Sequence, residues 1–218
     1  MARNTWTRNQ DRSGEGAAIT GYGPSDPRLA DAYAVEDEVL QYARRQSELA
    51  TVRPVSPASG AALAVLAAAV GARSVVEIGT GAGVSGICLL RGMRPDGILT
   101  TVDIQPGLQR QARELFSDAG FAPSRARCIP GAALEVLPRL ADGQYDLVFC
   151  DGDPAESPDY LAESLRLLRP GGMVCFEGAV SALDDVATRD LMRTVREHDA
   201  LLSALLPVGD GLLCAVRH

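Results

Sequence analysis

The stretch Ser74-Val75-Val76-Glu77-Ile78-Gly79-Thr80-Gly81-Ala82-Gly83-Val84-Ser85 decides how the rest of the chain reads. Its apolar run predicts a buried strand, and that strand delivers a carboxylate and a loop almost free of side chains to one point. A ligand can touch backbone there. The six residues Gly81 to Gly86 also satisfy G-x-G-x-x-G, which would indicate a nicotinamide or flavin enzyme. In such a site the first glycine follows the strand directly, so that the pyrophosphate reaches the helix N-terminus. Here the strand ends near Ile78, and an earlier triplet, Gly79, Gly81 and Gly83, follows Glu77. An acid placed just before the first glycine repels a pyrophosphate but suits a ligand with an ammonium or sulfonium group. The competing reading is a strand-to-helix turn whose glycines serve packing alone.

The chain has 218 residues, enough for one α/β core with a decorated end. Apolar residues make up 46% and aromatics only 5%, so the core is expected to be built from Ala, Val and Leu, with no base-stacking surface. A formal charge of −7 with scattered Arg argues against a nucleic-acid backbone as partner and favours a small molecule. Five cysteines stand singly in apolar contexts with no C-x-x-C pair, which reads as buried thiols of a reducing compartment. Met1 to Gly16 is polar with no apolar segment of a secretion signal, and no run reaches the roughly 18 apolar residues that span a bilayer. A cytoplasmic location away from membranes is expected.

Residues 1–27 are rich in Arg, Asn, Gly and Pro without a sustained period and read as a mobile arm, in which Trp6 is a loosely packed anchor. Residues 28–218 read as one domain. Helical spacing runs from Leu29 to Ala43, and Ser56-Pro57 opens a dense apolar helix that Gly71 ends. From there strands at 75–78, 98–103, 126–129, 145–150 and 173–176 alternate with helices at 84–92, 107–119, 131–140 and 155–168. Residues 201–206 and 212–216, joined through Gly209-Asp210-Gly211, form a final hairpin. The alternation predicts a doubly wound α/β fold, a parallel sheet with helices on both faces.

Asp103 ends the second strand, 20 residues beyond Gly83, where an acid can accept from both hydroxyls of a ribose. As an alternative it caps the helix that starts at Pro106. Together with Val55-Ser56-Pro57, Thr101-Val102-Asp103-Ile104, Asp146 to Asp153 and Leu168-Arg169-Pro170-Gly171-Gly172, the chain from about residue 30 onward resembles the small bacterial O-methyltransferases related to catechol and caffeoyl-CoA O-methyltransferases. The resemblance implies a Rossmann-like sheet of seven strands with N-terminal helices, S-adenosylmethionine as cofactor, a homodimer, and a small hydroxylated, aromatic acceptor. It places Val55, Glu77, Gly79 and Thr80 at the methionine end, with Ser85 on its carboxylate, Asp103 on the ribose, Ile104 on the adenine and Ala132 at the adenine edge, and counts Gly81, Asp151 and Asp153 among the cofactor-binding residues. Ser85 could equally serve as an ordinary helix-start cap.

Methyl transfer needs an oxygen nucleophile in line with the methyl group, a base for its proton, and exclusion of water. Asp151, Asp153 and Glu177 are expected to converge on the site. In metal-dependent relatives the acid matching Asp151 binds a divalent cation. This chain has Glu177-Gly178 where those relatives carry Asp-Asn, and Pro154 where many carry Lys. Charge balance for the cofactor therefore ranks first for these acids, a general base second and a metal third, with Asp151 and Glu177 as the catalytic pair and no metal ligand assigned. His198 and His218 are not placed in the chemistry, and Tyr160 either borders the acceptor or packs. The rival functions are a cofactor-binding module without catalysis and an NAD-dependent dehydrogenase.

Overall fold

The computed structural model describes residue 26 and residues 28–218. Apart from Asp26, the arm expected over 1–27, Trp6 included, lies outside the described residues. The chain then forms α1 (Arg28–Tyr33), α2 (Glu38–Leu49) and α3 (Pro57–Ala69). The stripe from Leu29 to Ala43 is broken between α1 and α2 because Asp37 caps α2, accepting from Leu40 N at 3.1 Å. Ser56 caps α3 likewise, with Pro57 in the first helical turn.

Strands and helices alternate from there: β1 (Ser74–Ile78), α4 (Val84–Gly92), β2 (Ile98–Asp103), α5 (Pro106–Asp118), β3 (Ala126–Pro130), α6 (Ala133–Val136), β4 (Tyr145–Cys150), α7 (Ser157–Leu167), β5 (Leu168–Phe176), α8 (Val186–Glu197), β6 (Leu201–Leu206) and β7 (Leu212–Arg217). They build a seven-stranded sheet in the order β3-β2-β1-β4-β5-β7-β6. The first five strands run parallel, and β7 lies antiparallel to both β5 and β6. Strand order reverses between β1 and β4, so a crevice opens at their carboxyl ends. This is the doubly wound sheet with a terminal hairpin that the sequence predicts.

Burial on both faces explains the apolar strands. Val75, Leu99 and Leu147 pack with α3, α4 and α5 through Leu63, Ile87 and Phe116. Val76, Val148 and Val174 face the other way, onto Leu161 of α7 and Leu191 and Val195 of α8. Among the described residues no helix is long and apolar enough to cross a membrane.

Besides the break between α1 and α2, and α8, which was not among the helices placed from the sequence, two elements depart from the sequence reading. The helix expected over 131–140 is only α6, followed by a 3-10 turn at Leu137–Arg139, because Pro138 interrupts the helical hydrogen bonds. β5 starts at Leu168 rather than near Met173, since Arg169-Pro170-Gly171-Gly172 continues the strand through a register shift against β4.

Candidate active site

The turn after β1 passes unusually close to the end of β4. Gly79 has φ +90°, and a Cβ there would stand 2.3 Å from the carbonyl oxygen of Asp151. No side chain fits. Gly79 N donates to the Val102 carbonyl and Asp151 N to the Ile78 carbonyl, each at 2.9 Å, so the ends of β1, β2 and β4 meet at one point. Gly86, the last glycine of the dinucleotide-like run, lies inside α4 against the Phe116 ring. It serves packing.

Asp103 binds the turn from the neighbouring strand. Its Oδ2 accepts from Gly81 N at 2.9 Å and its Oδ1 from Gln105 N at 2.8 Å. The capping alternative is not realised: Gln105 is the N-cap of α5 and no side chain caps that helix. A carboxylate offers about four acceptor sites, so roughly two remain for a ligand.

A cavity of about 360 Å³ opens over this turn. Of the residues expected at the cofactor, Val55, Gly79, Thr80, Gly81, Ser85, Asp103, Ile104, Ala132, Asp151 and Asp153 all line it. Glu77 does not line it. Its side chain is 0% exposed and turned beneath the turn onto the α4 and α5 face, where its Oε1 lies 2.6 Å from the Ser85 hydroxyl. Burial pushes its pKa up to about 7, against the lowering effect of the Ser85 and Thr101 hydroxyls.

A second cavity of about 200 Å³ adjoins the first. Arg53, Val55, Asp151 and Tyr160 line both, so Asp151 stands on the shared wall. The second cavity adds Phe176, Glu177, Leu191 and Asp210. Asp151 has surface open to the cavities yet sits low in the cleft, and burial, reinforced by Asp210, raises its pKa to about 6. Glu177 Oε1 accepts from Ser59 Oγ at 2.9 Å, while its Oε2 is buried without a partner. Burial carries Glu177 up to about 7, with Asp151 and Asp210 adding to the rise.

The three acids expected together are therefore divided. Asp151 and Glu177 share the second cavity, whereas Asp153 lies on the first, where its Oδ1 caps the turn Pro154–Glu156 by accepting from Ala155 N at 2.9 Å. Tyr160 is buried and its hydroxyl donates to Glu156, which with burial raises its pKa further.

A model of the O-methyltransferase family matches residues 30–218. The chain belongs to the O-methyltransferase family. A relative from Mycobacteroides abscessus, named at the level of this family, is 47% identical over 198 residues, which cover 86% of this chain and 92% of that one. The crystal structure of cofactor-bound Rv0187 from MTB superposes with a TM-score of 0.80 at 31% identity, covering 89% of this chain and 99% of that one. The O-methyltransferase TomG from Streptomyces achromogenes, involved in tomaymycin synthesis and solved with SAM, gives 0.77 at 27% identity, covering 84% and 91%.

Within this O-methyltransferase the donor set at the end of β5 is thin for a metal. Gly178 offers no side-chain ligand, and among the described residues no three His, Cys, Asp or Glu come together to hold an ion.

Four residues of the site were not singled out from the sequence. Arg53 reaches across to Asp210 at 2.6 Å, and Ser59 reaches Glu177 from α3. Gln109 is 2% exposed, and its Nε2 donates to the Ile129 carbonyl at 2.8 Å and to Thr80 Oγ1 at 3.3 Å, bracing the turn from below. For Asp210 a signal existed. It lies between two glycines whose close contacts exceed what a hairpin turn needs: a Cβ on Gly211 would meet Val180 and one on Gly209 would meet Ser59.

Proposed function

We propose that this chain transfers a methyl group from S-adenosylmethionine, seated in the first cavity, to a hydroxyl of a small aromatic acceptor in the second. The observation that carries the reading is the wall common to both cavities, with Asp151 on it. Bound S-adenosylmethionine supplies an electrophilic methyl group on a sulfonium centre. The chain positions, desolvates and takes up a proton.

In the cofactor half, α4 starts at Gly83 with no side-chain cap, so its first N–H groups and the Ser85 hydroxyl suit the methionine carboxylate. Asp103 takes the ribose hydroxyls. Ile104 is 72% exposed beside the cavity, and an apolar side chain that open suits packing on the adenine, whose edge meets the backbone of Ala132. Asp153 and ionised Asp151 balance the ammonium and sulfonium charges. Asp103→Ala is expected to weaken S-adenosylhomocysteine binding roughly 10²-fold, the effect of losing one or two hydrogen bonds to a charged group at about 1.5–3 kcal/mol each. Titration calorimetry reads this, and an affinity within threefold of wild type would remove Asp103 from the ribose.

In the acceptor half, Val55, Phe176, Ala179 and Leu191 give the second cavity apolar walls that suit an aromatic ring. Asp151 accepts the hydroxyl proton on a carboxylate oxygen, and Glu177 lines the same cavity beside it. Carboxyl groups titrating near neutrality are matched to that task. In this scheme the two carboxyl groups orient the acceptor hydroxyl, and no step is routed through a metal. Incubation with methyl-labelled S-adenosylmethionine and a panel of hydroxylated arenes, with the product's methyl position assigned by NMR, is expected to give O-methyl ethers. Label on nitrogen or sulfur, or none on any acceptor, overturns the reading.

A further inference from the structure

The pair formed by Glu77 and Ser85 is over-supplied with acceptors. Glu77 is fully buried, its Oε1 lies 2.6 Å from Ser85 Oγ, and its Oε2 has no hydrogen-bond partner. Ser85 lines the first cavity and has one proton to give. If Glu77 is ionised, that proton is spent on Glu77, and Ser85 presents only lone pairs to a ligand carboxylate. If Glu77 is the neutral acid, its own O–H donates to Ser85 Oγ over the same distance, and the Ser85 proton turns outward.

The surroundings of Glu77 favour the neutral acid. Thr101 of β2 and Phe149 of β4 flank it in register; the Thr101 hydroxyl, like that of Ser85, works against the rise in the Glu77 pKa, but burial outweighs both, and Asp103 and Asp151 at the ends of those strands repel a further negative charge. From α4 come Ser85 and the Cys88 thiol, from β3 the Cys128 thiol, and burial pushes both thiols up, keeping them uncharged. From α5 comes the Phe116 ring, packed on Gly86 beside the bare oxygen. Among the described residues no guanidinium pairs with Glu77. An ionised carboxylate with an orphan oxygen is costly in such a place.

We propose that Glu77 acts as a neutral acid that donates to Ser85 and so aims the Ser85 hydroxyl at the methionine carboxylate of S-adenosylmethionine. Glu77 is thus a positioning residue that acts through Ser85 and never touches the cofactor. The inference rests on the reading that Ser85 meets that carboxylate. Cofactor affinity then depends on a proton held on Glu77. The carboxyl is protonated below about 7 and gives it up above, so binding is tightest on the acid side and falls as pH rises.

Calorimetric titration of S-adenosylhomocysteine into the full chain between pH 6 and 8.5 tests this, run in parallel on wild type, Glu77→Gln and Ser85→Ala. Asp151 and the ligand's own ammonium titrate in all three, so the difference in slope isolates Glu77. The wild type is expected to lose affinity relative to Glu77→Gln by up to about tenfold per pH unit above neutrality, the limit for one linked proton. The amide of Glu77→Gln donates at every pH and removes that component, and Ser85→Ala removes it while binding weakly throughout. Parallel slopes for wild type and both variants overturn the proposal, as does wild-type affinity rising relative to Glu77→Gln. Should Glu77→Gln fail to fold, a wild-type slope equal to that of Ser85→Ala overturns it. Binding of S-adenosylhomocysteine with a flat profile rejects the Glu77 relay alone, whereas loss of the pH component without any gain of affinity over Ser85→Ala rejects the assignment of Ser85 to the carboxylate.

Discussion

Asp151→Asn is expected to lower kcat/KM by roughly 10²- to 10⁴-fold, the range typical of a positioned general base. The asparagine keeps the size and the place of the side chain on the wall between the two cavities but has no oxygen that takes a proton. The melting temperature should hold or rise slightly, because a carboxyl whose pKa is raised by burial is a destabilising group once it is ionised. The pH profile adds a second reading. A base must be ionised to act, so wild-type kcat/KM should climb from acid pH through about 6 to 7, where Asp151 and Glu177 titrate. Asp151 adds to the rise of Glu177 and both titrate in this range, so that limb carries both residues rather than one. Asp151→Asn should lose most of the limb along with the rate. Unchanged kcat/KM with an unchanged profile would take Asp151 out of the chemistry.

Gly79→Ala is expected to abolish cofactor binding and to destabilise the fold. The new Cβ would stand 2.3 Å from the Asp151 carbonyl oxygen, on a backbone with φ +90°. Positive φ and overpacking each cost roughly 1–3 kcal/mol, so the sum is about 2–6 kcal/mol. For a chain of this size that is a fall in Tm of roughly 5–20 °C, at about 2–4 °C per kcal/mol. Gly120→Ala supplies the comparison, since Gly120 has φ +85° with nothing within 4 Å of its Cβ. It should show the conformational strain alone. If both variants melt together and Gly79→Ala still binds S-adenosylhomocysteine, the close approach of the turn to β4 has no functional weight.

Much of the lining of the first cavity was legible because it is local in sequence. Residues 79–85 form one turn, and Asp103 and Asp151 end strands that apolar runs and glycines mark clearly. What the run Val75 to Ile78 leaves open is the direction of Glu77, because β1 is buried on both faces and its alternation carries no polar contrast. Hence Glu77 reads as a wall of the cavity, while its side chain lies beneath the turn. The second cavity is assembled from distant segments. Arg53 and Asp210 are 157 positions apart, and Ser59 and Glu177 are 118 apart. Ser59 sits in a helix of small residues and Asp210 in a hairpin turn, so each has an ordinary local explanation. No helix was placed at α8 from the sequence for a related reason: in a charged segment it buries only Thr188, Leu191 and Val195. Where Pro138 and Pro170 sit, boundaries moved because a missing N–H or a strand irregularity redirects the backbone without altering the apolar pattern.

The central claim is that Asp151 and Glu177 prepare the acceptor hydroxyl without a divalent cation. Its most direct measurement is the initial rate of labelled methyl transfer from S-adenosylmethionine to an accepted hydroxylated arene, with excess EDTA and again with Mg²⁺ restored. We expect the EDTA rate to stay within about twofold of the rate with Mg²⁺, a difference worth less than about 0.5 kcal/mol on the barrier. A rate that collapses in EDTA and returns with Mg²⁺ would contradict the account.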